Sequence, residues 1–495
     1  MTTRALGRLL LILVLAPLPA SAQTSNERAR RLLEDGREYR QAKKMTQAIA
    51  AFSDIVTSFP ETDSADDALL ELGRYYMDDL ADADKAKQAF EQVTKTYAQS
   101  DGAPGAYYSL GLITLGRATT SAELDDAMAQ FTRVQSLYPR SQWVGHALYG
   151  MGRVHRKAGK LEDAIEYLRR VVLEYPRSEA APAAQFEIGR CYAVLGNARQ
   201  AMEEFQQVRN RFPDGGDWPA RALDQITALW RLHGEGQPSL RFDPTYTLTL
   251  GDILKDVSAL VMSADGTLWL ASGKARAAVP VLDGKPGSSL MLEEPQALSI
   301  SPRGEIVVAG RLAVRIGVKD TKAFAVPADK PGEMESLEKI TAAVQLPGGT
   351  ILVADDRRKR VFRYDPQSRF QGPFPDAKER AVTRMSLDAE GGIVMLDERD
   401  KSVRVFDVSG RQLRAIGARG TGYEIKRPVD VAVDELRNTY IADAEGGIYI
   451  FGPAGQLVTV VAGTGEMRRP RALTLEADGA LLVYDEKAEK VLRYR

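Results

Sequence analysis

The chain has 495 residues, with 66 Lys and Arg against 67 Asp and Glu, one cysteine (Cys191) and three histidines (His146, His155 and His233). That length exceeds what one ordinary core supports, so two or more domains are expected. Near-zero net charge argues against a nucleic-acid binder. A single cysteine excludes an intramolecular disulfide and a thiolate metal cluster, and the lack of histidine beyond position 233 disfavours zinc–histidine and Ser-His-Asp chemistry in the second half.

The opening stretch "MTTRALGRLLLILVLAPLPASAQT" has Arg4 and Arg8, then an apolar run over 9–15, then Ala20-Ser21-Ala22. This is the order of a secretory signal peptide, with its charged, apolar and small-residue cleavage regions. The apolar run is well short of the roughly 20 residues a spanning helix needs. Residues 1–22 are therefore expected to be a signal peptide cleaved after Ala22. The mature chain would start near Gln23, carry no membrane span, and reside in the periplasm, or else be secreted or peripherally bound to the envelope.

Three series with one period follow. Aromatic-x marks stand at Phe59-Pro60, Tyr97-Ala98, Tyr138-Pro139, Tyr175-Pro176 and Phe212-Pro213, in steps of 37 to 41 residues. Glycines keep the same step at Gly36, Gly73, Gly111, Gly152 and Gly189, as do the pairs Ala48/Phe52, Ala86/Phe90, Ala127/Phe131, Ala164/Leu168 and Ala201/Phe205. Small residues belong where two helices cross closely, an aromatic at i+4 fills the gap beside them, and proline ends the second helix. The pattern predicts five helix pairs, with Ser178 and Asn197 as N-caps, an extended loop around 117–123, and a closing helix "WPARALDQITALWRLH" whose Trp218 and Trp230 cover the open end.

These residues resemble the tetratricopeptide repeat, most closely in "YPRSQWVGHALYGMGRVHRKAGKLEDAIEYLRRVVLEYP", although the step exceeds the usual 34 or so. The YP-x-S ending is similar to envelope proteins of the outer-membrane-assembly and Tol–Pal accessory type. The resemblance implies an α-solenoid over 23–233 with a concave groove. The position after each glycine would face it: Arg37, Arg74, Leu112, Arg153 and Arg190, with Arg40, Arg156 and Lys157 one turn on. Such a basic column would capture an acidic peptide, a carboxylate or an anionic glycan. The alternative is that these arginines are solvated helix residues paired with Glu34, Glu71 or Glu187.

After a linker over 234–243, containing "GEGQPS", helical spacing gives way to short strands and turns. "ADGTLWLAS", "PRGEIVVAG", "PGGTILVAD", "EGGIVMLDE", "LRNTYIADA" and "ADGALLVYD" place Gly266, Gly304, Gly349, Gly392, Asn438 and Gly479 at steps of 38 to 46 residues. Four strands per step, six times, predicts a six-bladed β-propeller over 244–495. The stretch "RPVDVAVDELRNTYIADAEGGIYIFGPAGQLVTVVAG" resembles the NHL repeat class; the first two blades lack the acidic turn of the others. The last blade stops at its third strand, so "TYTLTLG" at 245–251 is expected to complete it and remove both sheet edges.

In the segment "LPGGTILVADDRRKRVFRYDP", Asp355 recurs as Asp397, Asp443 and Asp485 at the ends of second strands. Recurrence favours a structural task, with a short acid accepting backbone N–H groups to start the turn. The other reading is a polar binding rim formed by these acids with Arg357, Arg358, Arg399 and Lys487. A nucleic-acid role for the basic run does not suit an exported chain.

The fold class expected is therefore multidomain, an α-solenoid followed by an all-β propeller. No nucleophile–base pair, phosphate loop or metal-ligand spacing is present, so no catalytic residue, metal or cofactor is assigned. The function expected is a non-enzymatic envelope scaffold that binds protein partners, including acidic peptide segments, or cell-wall glycan. Two alternatives stand beside it: a propeller hydrolase, lyase or lactonase-like enzyme, and a ligand-sensing receptor-like module. Fold analogy alone chooses poorly among these.

Overall fold

The computed structural model describes residues 20–78, 82–234, 240–246, 248, 250–318, 320–328, 330–375, 380–417, 425–462 and 465–495. The expected leader up to Pro19 and the linker residues 235–239 lie outside this set. Among the described residues, eleven helices come first: α1 (Ala20–Gln41), α2 (Met45–Ser58), α3 (Ala65–Asp78), α4 (Ala83–Thr96), α5 (Ala103–Arg117), α6 (Ser121–Leu137), α7 (Trp143–Lys157), α8 (Leu161–Glu174), α9 (Ala181–Val194), α10 (Ala198–Arg211) and α11 (Trp218–His233). None is long and apolar enough to cross a membrane.

The periodic glycines do what their spacing predicts. A Cβ at Gly36, Gly73 or Gly111 would stand 2.5 Å from the ring of Phe52, Phe90 or Phe131, and one at Gly189 would stand 2.7 Å from Phe205. In these four pairs the glycine of the first helix is thus the floor on which the aromatic of the second helix lies, and in the remaining pair Leu168 lies on Gly152 in the same way. The five partner alanines and the bulky residues four positions on are all buried. Each such ring contributes about 1.5–3 kcal/mol by leaving water. Second-helix ends also repeat. Tyr97 closes α4 through its N–H to Val93 O, and its hydroxyl donates to Pro60 O at 2.8 Å; the Tyr138 hydroxyl donates to Ala98 O at 2.6 Å.

Local predictions fared unevenly. The segment before α6 is a reciprocal capping box in which Glu123 accepts from Thr119 and Thr120 while its own N–H reaches Thr120 Oγ1. Those donors hold the Glu123 carboxyl down at about 2. Asn197 stands at the N-cap of α10 but makes no side-chain cap bond, and α9 starts one residue after Ala180 rather than at Ser178. Trp218 packs on Phe186 with ring centroids 5.2 Å apart, whereas Trp230 is 59% exposed and does not cover the end of the array.

The chain divides into two compact units. The first holds the described residues up to Ile113 together with Ala129–Val144; the second holds Thr114–Met128 and Gly145–Arg495, so the later helices belong with the propeller. In the first unit, one core joins α1, α2 and α3 around Phe52 and Ile55, and another joins α3, α4 and α5 around Phe90 and Leu110.

In the second unit six antiparallel sheets run outward in chain order as blades, and a separate two-stranded sheet pairs Ala325–Pro327 with Met334–Ser336. The innermost strands of the blades are Val257–Met262, Pro295–Ile300, Ile340–Gln345, Val382–Leu387, Pro428–Val433 and Pro470–Leu475, and each packs on the next, the last on the first. Alternate residues of each blade face the neighbouring blades, so second strands such as Ile351–Asp355 are buried along their whole length. Every innermost strand carries a bulge after its first residue. Blade one has a broken outer edge, with Lys285–Pro286 and Leu290–Met291 both pairing to Ala277–Leu282.

Blade six has three strands of its own, ending with Lys490–Tyr494, and the fourth comes from ahead of blade one. Phe242 bridges Tyr494, with Arg241 N–H to Arg495 O, Arg495 N–H to Arg241 O and Asp243 N–H to Arg493 O. The closing residues are 241–243, not the expected 245–251. Asp243 turns the chain at that point by accepting from Thr245, and Leu248 and Leu250 then pack on blades one and six.

Candidate functional site: the inner helix face and the two propeller faces

In the first unit, the residues following the repeat glycines converge on one buried acid. Glu71 of α3 receives Arg37 Nε at 3.3 Å and Arg40 Nη1 at 2.8 Å, and Arg74 Nη1 lies 3.9 Å away. Asp67 adds a second partner for Arg37 at 3.3 Å. The basic column expected here is a neutralised network in which Arg37 and Arg74 stay about two-fifths exposed, at 44% and 38%. Leu112 of α5, at the equivalent position of its repeat, is half-buried.

The same repeat positions in the second unit have a different fate. Arg156 of α7 and Arg190 of α9 flank Glu187, with contacts of 3.0 and 3.1 Å. Both guanidinium groups then donate to Glu390 Oε1, Arg190 at 3.2 Å. Glu390 belongs to the turn between the first two strands of blade four. Asp388 Oδ1 shapes that turn by accepting from Glu390 N and Gly392 N at 2.9 and 2.7 Å, which points Glu390 outward. Burial pushes the Glu187 carboxyl up, but Arg190 and Arg156 outweigh it and hold it below its ordinary range. Arg153 lies over the Tyr149 ring at 5.7 Å, and Lys157 donates to Leu115 O at 2.8 Å. Burial lowers the Lys157 pKa.

Equivalent turns of blades five and six dock beside it. Leu436 enters the apolar cluster of Phe186, Phe205 and Leu229. Arg190 Nη2 donates to Glu435 O, and Arg221 pairs with the Glu435 carboxylate at 3.2 Å. Arg231 reaches Asp478 at 3.0 Å, and Gly479 lies so close to Ala228 of α11 that a Cβ there would meet it at 2.6 Å. The expected open groove at Arg156 and Arg190 is thus a seam: the inner face of α7, α9 and α11 holds the chain's own propeller. Cys191, next to Arg190, is buried, and burial pushes its thiol up to about 12.

On the propeller face built from second-to-third strand turns, the four aspartates are buried, at 0–2% exposure. Asp443 accepts from Lys426 N, Arg427 N and Glu445 N, and Asp485 from Arg468 N, Arg469 N and Ala488 N. Asp355 takes Lys339 N and Arg358 N, and Asp397 takes Arg399 N and Asp400 N. Each carboxylate ties its own turn, and in blades three, five and six it also ties the segment entering the first strand. The rim reading is corrected for Asp355, Asp397, Asp443 and Asp485, whose oxygens are engaged by backbone and shielded from solvent. Arg357, Arg399 and Lys487 are exposed on that face; Arg358 is half-buried and pairs with Glu335 at 2.7 Å.

One constellation escaped the sequence reading. At the third position of the innermost strands, four blades carry Ala259, Ala297, Ala342 and Ala472, while neighbouring blades four and five carry Arg384 and Asp430. Arg384 Nε pairs with Asp430 Oδ1 at 3.1 Å, and its Nη2 reaches across the ring to Ser258 O of blade one at 2.6 Å. Asp430 also accepts from Val431 N and Leu473 N. Burial raises the Asp430 pKa, with Arg384 opposing. The four alanines make room for this pair, which crosses the middle of the ring. Aligning the six first strands exposes it as the only charged positions in that column. Among the described residues, no cluster of three or more His, Cys, Asp or Glu is placed to hold a metal.

Two models of the tetratricopeptide repeat match the chain, over residues 67–100 and 149–216. A comparison with curated proteins finds no match. Among solved structures, a streptogramin B lyase is similar over 52% of this chain and 97% of its own, at 12% identity and a TM-score of 0.38. A catalytically inactive virginiamycin B lyase from Staphylococcus aureus with quinupristin is similar over 52% and 84%, at 17% identity and 0.39. A gluconolactonase from Xanthomonas campestris is similar over 52% and 90%, at 14% identity and 0.39. The N-terminal half of this chain is an array of tetratricopeptide repeats, and its C-terminal half is a six-bladed β-propeller.

Proposed function

We propose that this protein is a non-enzymatic scaffold of the bacterial cell envelope that brings protein partners together. The observation that carries the reading is the seam. Three first helices of the array, α7, α9 and α11, each grip an acid-bearing turn through an arginine, which is the chemistry by which such helices hold acidic peptide segments. In the second unit that capacity serves to fix the propeller. The propeller face carrying Arg357, Arg399 and Lys487 and the inner face of α1 and α3 are then the surfaces offered to partners. The leader-like start of the sequence supports export, with the periplasm as the compartment.

The test uses the full chain from Gln23 as bait in an envelope extract. Two further baits carry Arg357→Glu, Arg399→Glu and Lys487→Glu together, or Arg37→Glu and Arg74→Glu together. A discrete protein retained by the parent and lost from one of the variants supports the scaffold. Turnover of a sugar lactone or of quinupristin by the full chain would overturn it.

A further inference from the structure

Blades one and two lack the buried aspartate that ties the turn face elsewhere, and a cleft lies where it is missing. Ser272 and Gly310 occupy the second-strand ends that Asp355, Asp443 and Asp485 occupy in blades three, five and six. In these two blades the residues before the first strands take the left-handed conformation: Asp256 at φ 56° and Glu294 at φ 46°. Their counterparts Lys339, Arg427 and Arg469 do not. Between these two flipped residues, the turn at Gly273–Arg276 and Arg471 of blade six is a cleft of about 330 Å³, floored by Ser258 and Gln296. That volume is within the range of small-molecule sites, roughly 300–1,000 Å³.

The lining selects a ligand class by charge. Arg276 has Glu293 at 3.7 Å, Glu294 has Arg311 at 3.4 Å and Arg471 has Glu486 at 3.1 Å. Asp256 is the lining charge with no ion-pair partner among the described residues. It lies against Gly273, where a Cβ would collide with its carboxylate oxygen, so the glycine keeps that carboxylate at the cleft wall. No lining residue is aromatic, so the stacking surface that a sugar ring favours is absent. We infer that this cleft binds a small amine-bearing ligand of about dipeptide size, its ammonium group on Asp256 and its polar body over Ser258 and Gln296.

Calorimetric titration of the full chain with alanyl-lysine amide, which carries ammonium groups and no carboxylate, tests this directly. N-acetyl-alanine, with a carboxylate and no amine, is the paired probe. Saturable binding of the first and none of the second is expected. Asp256→Asn should weaken binding at least tenfold while leaving thermal unfolding unchanged, because asparagine tolerates a left-handed backbone. Gln296→Phe, which fills the cleft without touching a charge, should abolish binding as well. No saturation with the amide, preference for N-acetyl-alanine, or binding that survives both substitutions would overturn the assignment.

Discussion

Arg37 and Arg190 stand at the same place in their repeats, one residue after a buried glycine, and the two show how little a repeat position says about its partner. Arg37 pairs with Glu71 and Asp67 of the next first helix, a local arrangement open to solvent. Arg190 pairs with Glu187 one turn away, then with Glu390 and the backbone of Glu435, both on the propeller. The scaffold sets where the guanidinium goes; the surroundings set whether it is screened by water or held in a dry seam. Dielectric makes the difference, because an ion pair near water is worth little and breaking one in a dry site leaves an uncompensated charge.

That contrast can be broken by experiment. Glu390→Ala should cost about 3 kcal/mol in denaturant unfolding of the full chain, since it leaves Arg156 and Arg190 with one carboxylate, Glu187, between them. Leu436→Ala removes a side chain wedged between α9 and α11 and should cost about 2–3 kcal/mol in the same assay. Glu71→Ala, made among partly exposed arginines, should cost about 1 kcal/mol. Equal losses for Glu390→Ala and Glu71→Ala would mean the seam is as wet as the first unit and the comparison is wrong.

The smallest expected effect is in pH. Asp434, which shapes the blade-five turn at the seam, has its carboxyl pushed up to about 6 by burial against hydrogen bonds from Asn438 and Tyr440. An acid whose native value stands above its unfolded one holds its proton more tightly when folded. Its contribution is therefore complete below its ordinary 3.8 and is lost as pH rises through about 6. Unfolding at pH 4, 5, 6 and 7 should show a fall of about 1 kcal/mol across that window, discounted because Asp434 is only half-buried. The fall should be absent in Asp434→Asn; a fall that persists there assigns it to another group.

What was legible in the sequence was whatever one repeat decides for itself. Gly189, Ala201 and Phe205 recur because each helix pair must solve the same packing problem, so period and residue class sufficed. Asp443 and Asp485 recur for the same reason, and the structural reading of them held. The occupant of the inner helix face was not legible, because Glu390 lies in a turn whose local grammar, Asp-Ala-Glu-Gly-Gly, only specifies a hairpin. Arg384 and Asp430 were hidden for a different reason: a departure within a single strand column is visible only once all six strands are in register. The closing strand was misplaced by a few residues because 241–243 and 245–251 both read as short apolar–polar alternations, and only the turn at Asp243 separates them. The missing acid in blades one and two reads as weak resemblance in the sequence, whereas in the fold it accompanies a left-handed residue at the entry to the first strand.

Ring closure through Phe242 and Tyr494 also has a kinetic consequence. The two residues are neighbours in the fold and a whole propeller apart in the chain, so the final sheet cannot form until every blade between them exists. A contact of that span adds the slow, entropically costly loop closure typical of high contact order. Until it forms, the strand Lys490–Tyr494 is an open edge able to pair with another chain. Because 241–243 follow closely on α11, the helices docked on the propeller keep one half of the clasp near its target while the other half arrives. A truncation that removes residues 490–495 should therefore do more than delete one strand: it should leave the ring unbuttoned, slow to fold and prone to aggregate.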